Sequence, residues 1–83
     1  MLFLQAAVLS GQTVIMDNFA LNRIRIVLQD KHVTNRELAR ALGKAESTIS
    51  QWSTNAKQPS LETFFQIARF LDIDIRDLII KTK

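Results

Sequence analysis

TNRELARALGKAESTISQWSTNAKQPS, residues 34–60, holds three helix starts and two helix stops, and its reading decides the fold. Thr34 and Glu37 have the S/T-x-x-E spacing of a capping box. In that motif the hydroxyl takes the amide three residues on and the carboxylate reaches back to the capping residue. Leu38, Ala39 and Leu42 then fall on one helical face, and Gly43 follows as the left-handed stop, which predicts a helix over 35–42. A second helix is predicted over about 46–54. At roughly 100° per residue Ala45, Ile49 and Trp52 fall on one side of it, and Glu46, Ser47, Ser50, Gln51 and Thr54 on the other. Asn55 tolerates left-handed backbone and ends this helix. Ala56 to Pro59 make a loop, and Ser60 caps a further helix.

Working outward, Leu61, Phe64, Phe65, Ala68 and Leu71 form the inner stripe of the helix that Ser60 caps, widened by Ile67 and Phe70. Asp74 and Asp77 open a short last helix through Ile75, Leu78 and Ile79, their carboxylates suiting its positive end. On the N-terminal side, Ala20, Ile24, Val27 and Leu28 lie along one stripe of a first helix, capped by Asp17 or Asn18. No segment after residue 17 alternates with period two, so the expected class is all-α with five helices over 17–83.

Residues 1–16 carry no charge and are expected to be an N-terminal extension or arm, either a hairpin turning at Ser10 and Gly11 or a stretch ahead of a true start at Met16. A secretory signal lacks its basic n-region here. A membrane span needs about 18 apolar residues, and Gln5, Ser10, Gly11, Gln12 and Thr13 interrupt this run.

Composition narrows the function. With 83 residues, 47% hydrophobic and 23% charged, the chain suits one small packed domain. It has no cysteine and a single histidine, so a disulfide framework, a thiolate nucleophile and a His/Cys metal cluster are excluded, and a reducing cytoplasm is expected. Serine, histidine and aspartate occur without any nucleophile motif, and neither catalysis nor a cofactor is expected. The net charge of +3 is concentrated. Residues 23–57 hold seven basic side chains (Arg23, Arg25, Lys31, Arg36, Arg40, Lys44 and Lys57) against Asp30, Glu37 and Glu46, whereas residues 58–83 balance. A polyanion is a candidate partner for the middle of the chain; a solvated surface is the plainer alternative.

Thr34 to Ser60 resembles the helix-turn-helix of the Cro-like, phage-repressor (Xre-type) family of DNA-binding domains. The signals are E-L-A in the first of its helices, the glycine turn, S-T-I-S-x-W in the second and P-S-L-E-T after the loop. Residues 60–78 resemble that family's last two helices, and residues 24–33 its first. The resemblance implies a lambda-repressor-like domain that binds double-stranded DNA as a homodimer, acting as a transcriptional repressor or as an antitoxin with a toxin partner. It also implies that helix 46–54 enters the major groove, with Glu46, Ser47, Ser50 and Gln51 toward bases. Thr34, Asn35, Arg36, Thr54, Asn55 and Lys57 are then implied to meet phosphates.

The chain departs from the family pattern at several places. Asn35 stands for a frequent glutamine, Ala45 for a serine cap, and Glu46 for a basic or amide residue. Leu28 and Ser53 replace an ion pair whose two members have gone together, which avoids stranding a buried charge. Glu46 and the uncharged N-terminal residues suggest the alternative of an interaction or dimerisation module that keeps the fold without DNA binding. Trp52, Ile49 and Leu42 read as core. His32 reads as a left-handed turn residue, Arg40 as a solvated helix former, and Glu46 also as a partner of its helix dipole.

Overall fold

A computed structural model describes residues 20–82 of the chain. It contains α1 (Ile24–Asp30), α2 (Asn35–Leu42), α3 (Glu46–Ser53) and α4 (Leu61–Leu71), followed by one 3₁₀ turn, Ile75–Leu78. All five segments contribute to a single core built from Ile24, Val27, Leu28, Leu38, Ala39, Ile49, Trp52, Phe64, Ile67, Ala68, Leu71 and Leu78. The expected all-α class holds, with four α-helices among the described residues.

α2 forms where its local signals put it. The Thr34 hydroxyl accepts the Glu37 amide at 3.1 Å, and the Glu37 carboxylate accepts the Thr34 amide at 2.8 Å. Gly43 closes the helix at φ 68°, a backbone region that a side chain would make costly. Similar left-handed stops occur at His32 (φ 58°), as expected, and at Asn55 (φ 64°). Asp72 (φ 58°) closes α4 in the same way. α3 is the exception at its start. Ala45 offers no side-chain cap, so nothing from that position answers the first amides of the helix. Ala45→Ser should therefore stabilise the domain by about 0.5–2 kcal/mol, measured by thermal unfolding without DNA; an unchanged melting temperature would show that the helix start is already satisfied.

Three expectations need correction. α1 begins at Ile24, and Ala20 is exposed and outside any helix; the capping positions Asp17 and Asn18 lie outside the described residues, as does the 1–16 arm. The cause is Asn22, a buried residue whose side-chain oxygen accepts the Ile24 amide at 2.9 Å. Around it, the Arg23 amide donates to the Leu78 carbonyl and the Ile80 amide to that of Leu21. This isolated antiparallel bridge, Asn22 to Ile79, ties the chain ahead of α1 to the segment after the 3₁₀ turn.

The same bridge limits the fifth helix to one 3₁₀ turn, because Ile79 is drawn into extended backbone. Its capping was nonetheless legible: Asp74 accepts the Arg76 amide at 2.8 Å. Finally, α4 buries Phe64, Ile67, Ala68 and Leu71, while Leu61, Phe65 and Phe70 are 65%, 49% and 46% exposed. The core covers only a stripe at i, i+3, i+4 and i+7, and the helix carries more apolar residues than that stripe needs.

Candidate nucleic-acid interface

α3 packs against α2 and is turned outward by its own pattern. Ile49, Trp52 and Ser53 are buried, whereas Glu46, Ser47, Ser50 and Gln51 are all exposed. The four expected base-facing residues thus share one solvent-facing side of α3, and that side offers a carboxylate, two hydroxyls and an amide. The loop after the helix folds back on a single acceptor: the Gln51 carbonyl takes the amides of Ala56 at 2.9 Å and Lys57 at 3.2 Å. The Gln51 side chain is left exposed.

The junction of α2 and α3 is fixed by a polar contact at the place of the missing ion pair. The Ser53 hydroxyl donates to the Asn35 side-chain oxygen at 3.2 Å, and Leu28 fills the other half of that place as core. Asn35 is thereby oriented with its amide nitrogen still available to donate. Beside it, the first two amides of α2, those of Asn35 and Arg36, precede any intrahelical acceptor. The exposed Arg36 side chain stands at the same end. The Thr34 hydroxyl, expected at a phosphate, is engaged in the cap: it accepts the Glu37 amide and donates its one proton to the Glu37 carboxylate at 3.3 Å.

Two further expected phosphate ligands, Thr54 and Asn55, also have other occupations. The Thr54 hydroxyl donates to the Ser50 and Gln51 carbonyls, at 3.1 and 3.3 Å. A hydroxyl has one proton, and a phosphate accepts but does not donate, so in this rotamer Thr54 has nothing to offer it. Asn55 is half-buried and engaged at both ends of its amide. Its oxygen accepts the amides of Leu21 and Asn22, each at 2.9 Å, and the Gln58 side-chain nitrogen at 3.0 Å. Its nitrogen donates to the Asn22 carbonyl at 3.2 Å. It pairs with Asn22 as a neighbouring strand would, and seals that edge.

Sequence patterns did not single out Asn22 and Gln58. The Asn22 side-chain nitrogen donates to the Trp52 carbonyl at 3.0 Å and to the Gln58 side-chain oxygen at 2.7 Å. These partners lie 30 and 36 residues along the chain, and no local signal marks them.

Charge is arranged to suit an anion. Arg36, Arg40, Lys44 and Lys57 are exposed, and none is ion-paired among the described residues. The ion pair found there joins Arg76 to Asp74 at 2.9 Å, away from α2 and α3. The hydrogen bond from the Arg76 side chain, helped by the Arg76 amide, lowers the Asp74 carboxyl to a pKa of about 2. No cluster of metal-ligating side chains occurs among the described residues, and no helix there is long and apolar enough to cross a membrane.

The family model described as helix-turn-helix matches residues 24–78, which spans all four helices and the 3₁₀ turn. The chain belongs to the helix-turn-helix family. The Cro-like resemblance of its sequence is borne out at that level. Among curated relatives, this helix-turn-helix chain is 35% identical over 54 residues to the antitoxin HipB of Escherichia coli strain CFT073, covering 65% of this chain and 57% of that protein. It is 33% identical over 54 residues to antitoxin HipB of Escherichia coli K12, covering 65% of this chain and 61% of the relative. The match therefore spans about three-fifths of each relative's length. A crystal structure of a candidate DNA-binding protein from Bacteroides fragilis superposes with a TM-score of 0.72 at 50% identity, over 72% of this chain and 97% of that one.

Proposed function

We propose that this helix-turn-helix protein binds double-stranded DNA sequence-specifically and regulates transcription as a repressor or antitoxin. α3 enters the major groove and the start of α2 crosses the backbone. The observation that carries the reading is the face of α3 on which Glu46, Ser47, Ser50 and Gln51 are exposed together while Ile49 and Trp52 anchor the opposite side. The HipB relatives and the Bacteroides fragilis structure support the same class of activity. Two copies acting together would place two recognition helices about 34–36 Å apart on successive groove faces, so the proposed working form is a homodimer in the cytoplasm. A toxin is the corresponding protein partner under the antitoxin reading.

The contact set is narrower than the family pattern implies. Base contacts fall to Glu46, Ser47, Ser50 and Gln51. Phosphate contacts fall to the α2 amides, the Asn35 amide nitrogen, Arg36 and Lys57.

Selection of sites from a random duplex pool, followed by a salt titration on the winner, tests the reading. One consensus with affinity falling linearly in log salt supports it. Salt-insensitive self-association without DNA binding replaces it with the interaction-module alternative. Within the same titration, Arg36→Ala and Lys57→Ala should each reduce the salt slope by about 0.9 while keeping the consensus. An unchanged slope removes the residue from the phosphate set.

Glu46 is the demanding case, because a carboxylate near phosphates costs affinity unless a base donates to it, and cytosine N4 is the natural donor. Glu46→Gln should tighten non-specific binding and relax the preference for C·G at one position per half-site, a discrimination of about 1–3 kcal/mol. If Glu46 only complements the α3 dipole, the change costs a few tenths of a kcal/mol of stability and the selected site is unaltered.

A further inference from the structure

Beside the C-terminal end of α3 lies a groove of about 280 Å³ that DNA contact leaves unused. Its aliphatic lining comes from Ala20, Ile26 and Ile80, and its charged lining from Arg23 and Arg25. Ile26 is 47% exposed and Ile80 39%, and Leu21, next to Ala20, is 47% exposed. These residues come from three places in the chain: the segment ahead of α1, the outer side of α1 and the segment after the 3₁₀ turn. Half-exposed aliphatics gathered from separate elements mark an interaction surface more strongly than scattered ones do.

Three polar groups of the groove, Asn22, Ser53 and Asn55, are already hydrogen-bonded, whereas Gln29 and the two arginines face it without a carboxylate partner among the described residues. The amides of Asn22 and Asn55 bond one another's residues, and the Ser53 hydroxyl is given to Asn35. Among the described residues the Arg23 side chain donates only to a neutral carbonyl, that of Asp77, at 2.8 Å. The Arg25 side chain has no hydrogen bond or ion pair among the described residues, and no carboxylate lines the groove.

We infer that the groove docks a protein segment carrying two or three aliphatic side chains flanked by carboxylates. Its volume is below the usual range for small-molecule sites and suits a few side chains. A second copy seated face to face would set Arg23 and Arg25 against their own images, a like-charge contact. A duplex backbone would gain nothing from Ile26, Leu21 and Ile80, since phosphates are met by polar donors. The inference is independent of the DNA reading, because none of these residues belongs to the proposed contact set.

The test uses the full ¹⁵N-labelled chain and two synthetic peptides of equal length, one with leucines at helical spacing among glutamates, the other with every glutamate replaced by lysine. The glutamate peptide should bind saturably, shift the amides of Arg25, Ile26 and Ile80, and weaken with salt. Arg25→Glu and Ile26→Ser should each lower that affinity about tenfold or more while DNA affinity stays the same. Two results would overturn the inference: no saturable binding of the glutamate peptide up to about 1 mM, or equal binding of the lysine peptide. A third is Arg25→Glu weakening DNA instead of peptide, which would hand the groove to nucleic acid. Ile26→Ser, on an exposed side chain, keeps the question answerable if the charge reversal unfolds the protein.

Discussion

Trp52→Ala is expected to lower the unfolding free energy by about 3–5 kcal/mol, the cost of a large aromatic leaving a cavity. Trp52 is 7% exposed and shares one core with Ile49 and Phe64. A domain of this length holds about 4–12 kcal/mol at roughly 0.05–0.15 kcal/mol per residue, so the loss takes a quarter of the stability or more. The effect reaches function because Trp52 and Ile49 set the rotation of α3, and that rotation decides which side chains face outward. Denaturant unfolding followed by circular dichroism measures it, since the variant has no other tryptophan to report by fluorescence. A loss under about 1 kcal/mol would mean that the neighbouring helices close over the site, and the assigned orientation of α3 would then lack its anchor.

α2 and α3 were legible because the signals that specify them lie within a few residues. The Thr34–Glu37 box, Gly43 and the alternation of Ile49 and Trp52 with Glu46, Ser50 and Gln51 need no distant partner to be read. α1 was misplaced for the opposite reason. Ala20 continues the stripe of Ile24 and Val27, and only the bonds from Asn22 to Trp52 and Gln58 reveal that the helix starts later. The last segment shows both behaviours. Its Asp74 cap is specified locally, whereas the extended backbone of Ile79 answers to Asn22, more than fifty residues earlier. Period alone also overstated the inner face of α4. It groups Leu61 and Phe65 with Phe64 and Ala68, but the width of the core that covers them is a property of the other helices.

The candidate site divides along the same line. Exposure of the α3 face follows from its period, so Glu46, Ser47, Ser50 and Gln51 could be named in advance. Whether a polar side chain is free to meet a phosphate depends on where its protons already go. That information is tertiary for Asn55, and for Thr54 it depends on a rotamer. The replacement of an ion pair by Leu28 and Ser53 was visible as a double absence; the Ser53 bond to Asn35 that fills the place was not.

Asn55 therefore carries the second large prediction, and two substitutions separate its roles. Asn55→Gly keeps the left-handed backbone and removes only the clamp on Leu21 and Asn22. Unpaired groups that are partly buried should cost about 1–3 kcal/mol. Asn55→Ala loses the same clamp and adds a strain of about 1–2 kcal/mol at φ 64°, so it should be the more damaging of the two. Released from Asn55, residues 21–23 should also exchange their amide protons faster, because the bridge to Ile79 loses its outer support. Measured well below the melting temperature, both variants should still select the wild-type DNA site, since α3 keeps its packing. The opposite pattern, unchanged stability with weakened binding, would return Asn55 to the phosphate-contacting set. Equal stability of the two variants would show instead that the left-handed backbone at this position carries no strain worth relieving.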